Sequence, residues 1–460
     1  MRLKIEDASR ILVLDPIHGA EVIADALKEL GKEVDIFNPY REPTFRGDLD
    51  YDLVIAPVHL NPNFEIMKQV LNAHIQLINH HEAVKELVSL NNPFSGLHVI
   101  EITGTVKKTT TCELIYQLLR GMEKNIILHT SSGTRYKSAD GGEIKLPRLS
   151  GTPANVLKVM LLARDMDLNP EIAIFEISLG LTGSCDVGVI TSLEDDYKIA
   201  GATKTASAAK IASIKNCSDG IVVHPGLSLS SVVHDNSNSN SNSNSYGDRG
   251  ENLWIEEVRA VFNKLKTIDG KIISGSLNFA PFKWRIGSDY YRSCLEAALC
   301  AVLSLGIAPE ELNTREITAV AGRMKVEELK GRILIDNSNS GTKLKFISGL
   351  VDAASHLHPY HSEREQRQKQ IKKKMILIIG EDSPYVCEGI NVDELKEVVE
   401  MANERSDFKE IIIVGDRFRA EAEFEGVPVS FASDLDTALN NAVEATGEGD
   451  VIISSVKTWR

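Results

Sequence analysis

The chain has no cysteine pair of the CxxC kind, although it holds six cysteines: Cys112, Cys185, Cys217, Cys294, Cys300 and Cys387. Their spacings fit neither a zinc site nor a disulfide framework, so six reduced thiols in a cytosolic protein are expected. No apolar run reaches the ~18 residues needed to span a bilayer. The opening MRLKIEDASRILVLD carries charges where a secretory leader would have its apolar core. A soluble, cytoplasmic protein is therefore expected. Positive charge is also short: the net charge of −14 argues against a general surface for nucleic acid or anionic membrane, but leaves room for a local basic pocket. The only repeat is a run of five Asn-Ser pairs within residues 234–250. It has nothing apolar to bury, so a disordered surface loop is expected there. Residues 356–374 form a charged bridge, read as a solvated helix extension or a loose loop.

What is present is a long alternation of strand-like and helix-like segments. With 460 residues, 43% hydrophobic and 25% charged, the chain has room for two or three domains with real cores. ILVLD (11–15), EVDIF (33–37), DLVIAPV (52–58) and IQLIN (75–79) are short apolar runs separated by helical stretches such as AEVIADALKELGK. Such runs predict buried parallel strands. A second series runs from HVIEIT (98–103) through NIILHTSS, IAIFEISL, VGVITSL and GIVVHP to KIISGS (271–276), closed by a helix over 293–307. RILIDNS (332–338), MILIIGE, EIIIVGD, PVSFA and DVIISSV (450–456) make a third. The fold class expected is α/β, with three consecutive α/β domains over residues 1–98, 99–321 and 322–460.

The most informative stretch is EITGTVKKTTTCELI, residues 101–115. A phosphate loop of the G-x-x-x-x-G-K-[ST] kind cradles phosphate oxygens on backbone N–H groups, with the Lys at the terminal phosphates and the Ser/Thr on Mg²⁺. Here Ile102 and Lys107 stand at the two glycine positions, while Gly104, Lys108 and Thr109 remain, between a strand and a helix. By the generic pattern, a Thr-rich helix cap after a strand is an equally open reading. A non-glycine residue in the left-handed conformation costs roughly 1–2 kcal/mol, so Lys107 either avoids that conformation or is held there by binding.

ITGTVKKTTT resembles the ATP loop of the Mur ligase superfamily, ITGTxGKTTT, at every position except Lys107. The resemblance continues in order along the chain. FEISL places Glu176 where the superfamily holds Mg²⁺. TSLEDDYKIAG resembles TNxEADH, with Tyr197 in place of the usual His. TASAAKIASI places Lys210 where many members carry a carbamylated lysine, a further Mg²⁺ ligand. GRMKV resembles the GRxEV hinge, with Arg323 at the γ-phosphate. IDNSNSGT puts Asp336 at the ribose. The superfamily's adenine-side His and Asn are missing from the DYYRSC region, residues 289–294. The resemblance implies a substrate domain, a central ATPase domain and a C-terminal domain closing on the nucleotide. It implies ATP and Mg²⁺ as cofactors, with Gly104, Thr105, Val106, Lys107, Lys108, Thr109 and Thr110 around the phosphates. Lys108, Glu176, Lys210 and Arg323 are the expected catalytic group, with Thr109 also on the metal.

The opening turn DPIHGA, the Lys-for-Gly loop and the terminal SSVKTWR resemble one archaeal branch of that superfamily, the coenzyme F430 synthetases of methanogenesis. That resemblance implies an ADP- and phosphate-forming cyclo-ligase. A propionate of a nickel tetrapyrrole, nickel seco-F430, becomes an acyl phosphate, and a carbon of the same macrocycle closes the ring. The nickel arrives with the substrate. A macrocycle rich in carboxylates needs a basic lining, for which His18, Arg41, Arg135, Lys457 and Arg460 are candidates. Each of the four cations reads more readily as a solvated charge, and His18 equally as a helix cap. His80 and His81 are adjacent, which suits a surface turn better than joint ligation of one metal. Two other readings stay open: an amide-forming Mur-type ligase adding an amino acid to a cell-wall or pseudomurein precursor, and a catalytically silent nucleotide-binding protein. Monomer and homodimer are both compatible with the sequence.

Overall fold

The computed structural model describes residues 3–227, 242–279, 288–355, 374–382, 389–405, 407–421 and 424–458. The chain forms two compact units, residues 1–281 with 292–317 and residues 282–291 with 318–460.

In the first unit, β1 (Arg10–Leu14), β2 (Glu33–Phe37), β3 (Leu53–Ala56) and β4 (Gln76–Asn79) pair in parallel in the order β2-β1-β3-β4. Helices α1 (Ala20–Glu29), α2 (Glu65–Asn72) and α3 (His80–Leu90) connect or follow them. Ile11, Val13, Leu53 and Ile55 face one layer, while Leu12, Leu14 and Val54 face the other. That two-sided burial is why these strands read as unbroken apolar runs. The same unit carries an eight-stranded sheet. Its strands are β5 (His98–Thr103), β6 (Ile126–Thr130), β7 (Gly133–Lys137), β8 (Glu143–Leu146), β9 (Ile172–Glu176), β10 (Val187–Ile190), β13 (Ile221–His224) and β14 (Ser243–Ser245). Between its strands come α4 (Lys108–Leu119), α5 (Ala154–Asp165), the small hairpin β11 (Lys198–Ile199) and β12 (Lys204–Thr205), and α6 (Ala206–Ser213). Leu27 of α1, Leu87 of α3 and Val159 of α5 belong to one core cluster, so the layers of the four-stranded and eight-stranded sheets share apolar contacts.

Two expectations for this unit need correction. KIISGS does not extend the parallel series. It lies in β17 (Ile272–Asn278), the edge of a separate antiparallel sheet with β15 (Leu253–Glu256) and β16 (Arg259–Lys266). Only residues 267–271 join β16 to β17, too few for a parallel crossover. Nor is the whole Asn-Ser tract an unpaired loop. Residues 228–241 lie outside the described residues, but Ser243–Ser245 pair in parallel with β13. Asn244 is buried there because its amide donates to Lys266 O at 2.7 Å and Ser304 Oγ at 2.8 Å. Side-chain hydrogen bonding satisfies what composition alone would leave in water. The 356–374 bridge lies outside the described residues except for Lys374.

Helix α7 covers Ser288–Ser304, and the sheet of the second unit has the order β18-β19-β23-β20-β21-β22. These strands are β18 (Lys325–Leu329), β19 (Arg332–Asp336), β20 (Met375–Glu381), β21 (Phe408–Val414), β22 (Val429–Ala432) and β23 (Val451–Lys457), with only β18 antiparallel. Alternate residues serve opposite layers. Leu377, Ile379 and Ile411 pack with α8 (Ile347–Ser355) and α9 (Val392–Asn403), whereas Ile376, Ile378 and Ile412 pack with α11 (Leu435–Ala445). A short α10 (Arg417–Glu421) follows β21. Among the described residues, no helix is long and apolar enough to cross a membrane.

Candidate active site

The phosphate-loop segment occupies the corner between β5 and α4. Lys107 immediately precedes the helix with φ +71°, the left-handed conformation that its superfamily counterpart meets with glycine. Lys107 thus holds a conformation that glycine adopts at lower cost. Gly104 is indispensable for a different reason. A Cβ there would come within 2.1 Å of Thr191 Oγ1. Thr191 Oγ1 donates to Val106 O at 2.6 Å, and Ser192 O accepts from Thr105 N at 2.9 Å. Residues 191–192 after β10 thus brace the loop from behind. No side-chain hydrogen bond caps α4 at Lys107, and the positive end of the helix dipole adjoins the loop. Lys108 Nζ lies 3.1 Å from Gly104 O, curled back over the loop.

An oxygen cluster adjoins the first turn of α4. Thr109 Oγ1 donates to Glu176 Oε2 at 2.9 Å and lies 3.2 Å from Ser131 Oγ. The Ser131 N–H donates to the same Glu176 oxygen at 3.0 Å. Glu176 ends β9 and is buried. Two hydroxyls and a carboxylate are hard oxygen donors and fit Mg²⁺. Ser131 was missed by sequence reasoning; its only signal is its place just past the end of β6, beside β9 in the sheet.

Lys210 is 1% exposed on α6, its Nζ 3.4 Å from Ala206 O and 5.3 Å from the centre of the Tyr197 ring. Tyr197, standing where the superfamily has His, thus lies beside that lysine. The neighbouring cavity of about 570 Å³ is lined by His81, Lys198, Lys204, Thr205, Ser213 and Lys215, among others. None of these reads as a basic lining in sequence, because the three lysines are spread over the β11–β12 hairpin and the 3-10 turn that follows α6.

The expectation for His80 and His81 is wrong. Both are buried in the first turn of α3, not in a surface turn. His80 Nε2 reaches Leu14 O at 3.1 Å and His81 Nε2 reaches Ser178 O at 2.9 Å. Burial pushes the imidazoles down, to about 3 for His80 and about 4 for His81. Arg135 also departs from expectation. It is committed within the fold, bidentate to Glu113 and 4.3 Å over the Tyr116 ring. Arg41 is exposed after β2, whereas Lys457 is buried at the end of β23 rather than solvated. Arg460 lies outside the described residues. His18 does not cap a helix; Asp15 does, accepting from Ile17 N at 3.1 Å.

In the second unit, Asp336 ends β19 and accepts from Gly322 N at 3.1 Å and Ser338 N at 3.1 Å. Asn339 accepts from Arg323 and donates to Gly322 O at 2.8 Å. Gly322 has φ +67°, and a Cβ there would meet Ser338 O at 2.4 Å. The Tyr291 hydroxyl accepts from Val320 N at 2.9 Å and donates to Arg323 O. Tyr291, in the region where the superfamily's adenine-side residues are missing, therefore anchors the GRMKV turn.

Residues 102–279 match the Mur ligase middle domain, and residues 326–458 match the C-terminal domain of coenzyme F430 synthetase CfbE. A coenzyme F(430) synthetase from Methanosarcina acetivorans is 30% identical, covering 98% of this chain and 99% of its own. One from Methanocaldococcus jannaschii is 26% identical over 85% of this chain and 88% of its own. Among solved structures, MurF ligase from Thermotoga maritima in complex with ADP superposes with a TM-score of 0.51 at 13% identity, covering 100% of this chain and 94% of that one. A bifunctional folylpolyglutamate synthase/dihydrofolate synthase from Yersinia pestis reaches 0.54 at 14% identity, covering 82% and 90%. These two likenesses show the Mur-ligase fold. This chain belongs to the coenzyme F430 synthetase family, ATP-dependent ligases of the Mur type.

Proposed function

We propose that the protein closes the carbocyclic ring of coenzyme F430, consuming ATP and acting on nickel seco-F430. The observation that carries this choice of substrate is the end-to-end likeness to a relative bearing the synthetase name, 98% of this chain against 99% of that one. Residues 1–98 would select the tetrapyrrole, 99–321 would hold ATP, and 322–460 would complete the nucleotide site.

The chemistry proceeds in two steps. A propionate oxygen attacks the γ-phosphorus, the β–γ bridge bond breaks, and ADP leaves with an acyl phosphate formed. A carbon of the macrocycle, having lost its proton, then attacks the acyl carbon and expels phosphate, forming the C–C bond. The first step drives anion against anion, so fixed positive charge governs it. Lys108, the α4 N-terminus and the N–H groups of residues 104–110 would grip the triphosphate. Arg323 would add charge at the γ-phosphate, and Asp336 would hold the ribose. Mg²⁺, when bound, neutralises phosphate charge; Thr109, Ser131 and Glu176 would hold it, joined by Lys210 if carbamylated. The Lys198, Lys204 and Lys215 cavity would receive carboxylates at one edge of the macrocycle. Intramolecular attack requires no amine site, which separates this reading from an amide-forming ligase.

The test is incubation of purified protein with ATP, Mg²⁺ and nickel seco-F430, followed by visible absorption and mass. The reading expects the tetrapyrrole to lose one water with ADP and phosphate produced and no amine required. Product that appears only when an amino acid is added would replace it with the amide-forming reading.

A further inference from the structure

The order β2-β1-β3-β4 reverses direction between β1 and β3, which places a topological switch point at their carboxyl ends. In parallel α/β sheets that crevice is where ligands bind. Three side chains meet there, Asp15 and His18 after β1 and His59 after β3. His18 Nδ1 lies 2.6 Å from Asp15 Oδ2. His59 Nε2 lies 3.4 Å from His18 Nδ1 and 3.5 Å from the same Asp15 oxygen. The rings meet edge to face with centroids 4.5 Å apart.

The cluster is built rather than incidental. Asp15 is fully buried and sits at φ +73°, a strained conformation for a side-chain-bearing residue. Its Oδ1 accepts from Ile17 N, Oδ2 lies against the two imidazoles, and the Tyr40 hydroxyl also hydrogen-bonds this carboxyl. The imidazoles remain accessible, with His18 40% and His59 23% exposed, so the open side of the cluster faces solvent.

We propose that Asp15, His18 and His59 form a binding site for a first-row divalent transition metal. Metal–nitrogen and metal–oxygen bonds of about 2.0–2.2 Å in a tetrahedral site space their donors by about 3.3 Å. Two of the three donor separations are already close to that, and the third opens by less than 1 Å when the hydrogen bond is exchanged for the ion. Two imidazoles and one carboxylate select zinc or nickel over Mg²⁺ or Ca²⁺, which prefer oxygen alone. Each neutral ring keeps its one proton on the nitrogen that faces away from the metal. Three protein donors leave a coordination position for water or a substrate oxygen. The site takes an aqueous ion; a nickel already held in a macrocycle plane cannot accept three donors from one side. The inference therefore stands apart from the ring-closure reading.

The experiment uses the full chain, stripped with chelator and titrated with Zn²⁺ alone, without ATP or tetrapyrrole. Calorimetry and metal analysis after dialysis are expected to show one tightly held ion. His59→Ala is expected to weaken binding by at least about a hundredfold, with circular dichroism unchanged, since His59 is partly exposed on a loop. Asp15→Asn gives a second readout where it folds. Cys185 and Cys217, whose sulfurs lie 3.8 Å apart, are the rival site, so Cys217→Ser is expected to bind as the parent does. Absence of tight binding by the parent protein, or binding that survives His59→Ala but vanishes in Cys217→Ser, overturns the proposal. Cobalt(II) in place of zinc adds a spectroscopic arm: visible absorption typical of nitrogen–oxygen ligation is expected, and a thiolate charge-transfer band contradicts it.

Discussion

Thr109 Oγ1 donates to Glu176 Oε2 at 2.9 Å, tying the first turn of the phosphate-loop helix to the end of the neighbouring strand. The hydroxyl and carboxylate come from segments 67 residues apart in sequence, and in the proposed function they hold Mg²⁺ together. Thr109→Ala and Glu176→Gln are expected to lower tetrapyrrole-dependent phosphate release by about a hundredfold or more, with a raised Mg²⁺ requirement. Phosphate release across a Mg²⁺ titration checks this. A variant with the parent's Mg²⁺ dependence would remove that residue from the metal site.

The two loop lysines should behave differently. Lys107 holds a left-handed backbone, so Lys107→Gly is expected to relieve strain and stabilise the folded protein by about 1 kcal/mol while turnover continues. Lys108→Ala is expected to cost about a hundredfold in turnover. Thermal unfolding and phosphate release measured on both variants provide the check. Loss of turnover in Lys107→Gly with turnover spared in Lys108→Ala would reverse the assignment.

The loop was legible because it is local: ten consecutive residues carry the path, the lysine and the hydroxyl. Its bracing was not, since Thr191 and Ser192 act from another strand end, and TSLEDDY gives no sign that its first two residues touch the loop. Strands buried on both faces, such as β1 and β20, announce themselves as apolar runs. The half-exposed antiparallel sheet β15–β17 does not, and the KIISGS run at its edge reads like a parallel strand. His80 and His81 misled because adjacency suggests a turn, whereas a helix start points neighbouring side chains in different directions. His59 gave no signal at all; its link to Asp15 exists only through the pairing of β1 with β3.

Lys210 offers a third prediction. Buried on α6, it is expected to form a carbamate that requires CO₂, because an oxygen-terminated side chain suits Mg²⁺ and an ammonium does not. Carbon NMR after equilibration with labelled CO₂ should show one carbamate signal that disappears in Lys210→Ala, with activity rising as bicarbonate is restored. Full activity in strictly CO₂-free buffer would contradict it.

Burial of His81 predicts a pH effect on stability. Its folded value of about 4 lies below the ordinary 6.5, so between those values the unfolded chain binds the extra proton. Stability from this group is complete above pH 6.5 and is lost as the pH falls toward 4. At about 1.4 kcal/mol per tenfold, the loss reaches about 3 kcal/mol. Denaturant unfolding at several pH values should show a steeper acid loss in the parent than in His81→Gln. Parallel curves would mean that His81 does not enter the fold uncharged.

The most direct test of the account follows oxygen. Nickel seco-F430 labelled with ¹⁸O in the reacting propionate is incubated with the protein, ATP and Mg²⁺, and the released phosphate is analysed by mass. Attack of the carboxylate on the γ-phosphorus predicts one ¹⁸O in each phosphate and a ring-closed product lighter by one water. Ring-closed product accompanied by unlabelled phosphate would contradict activation through an acyl phosphate.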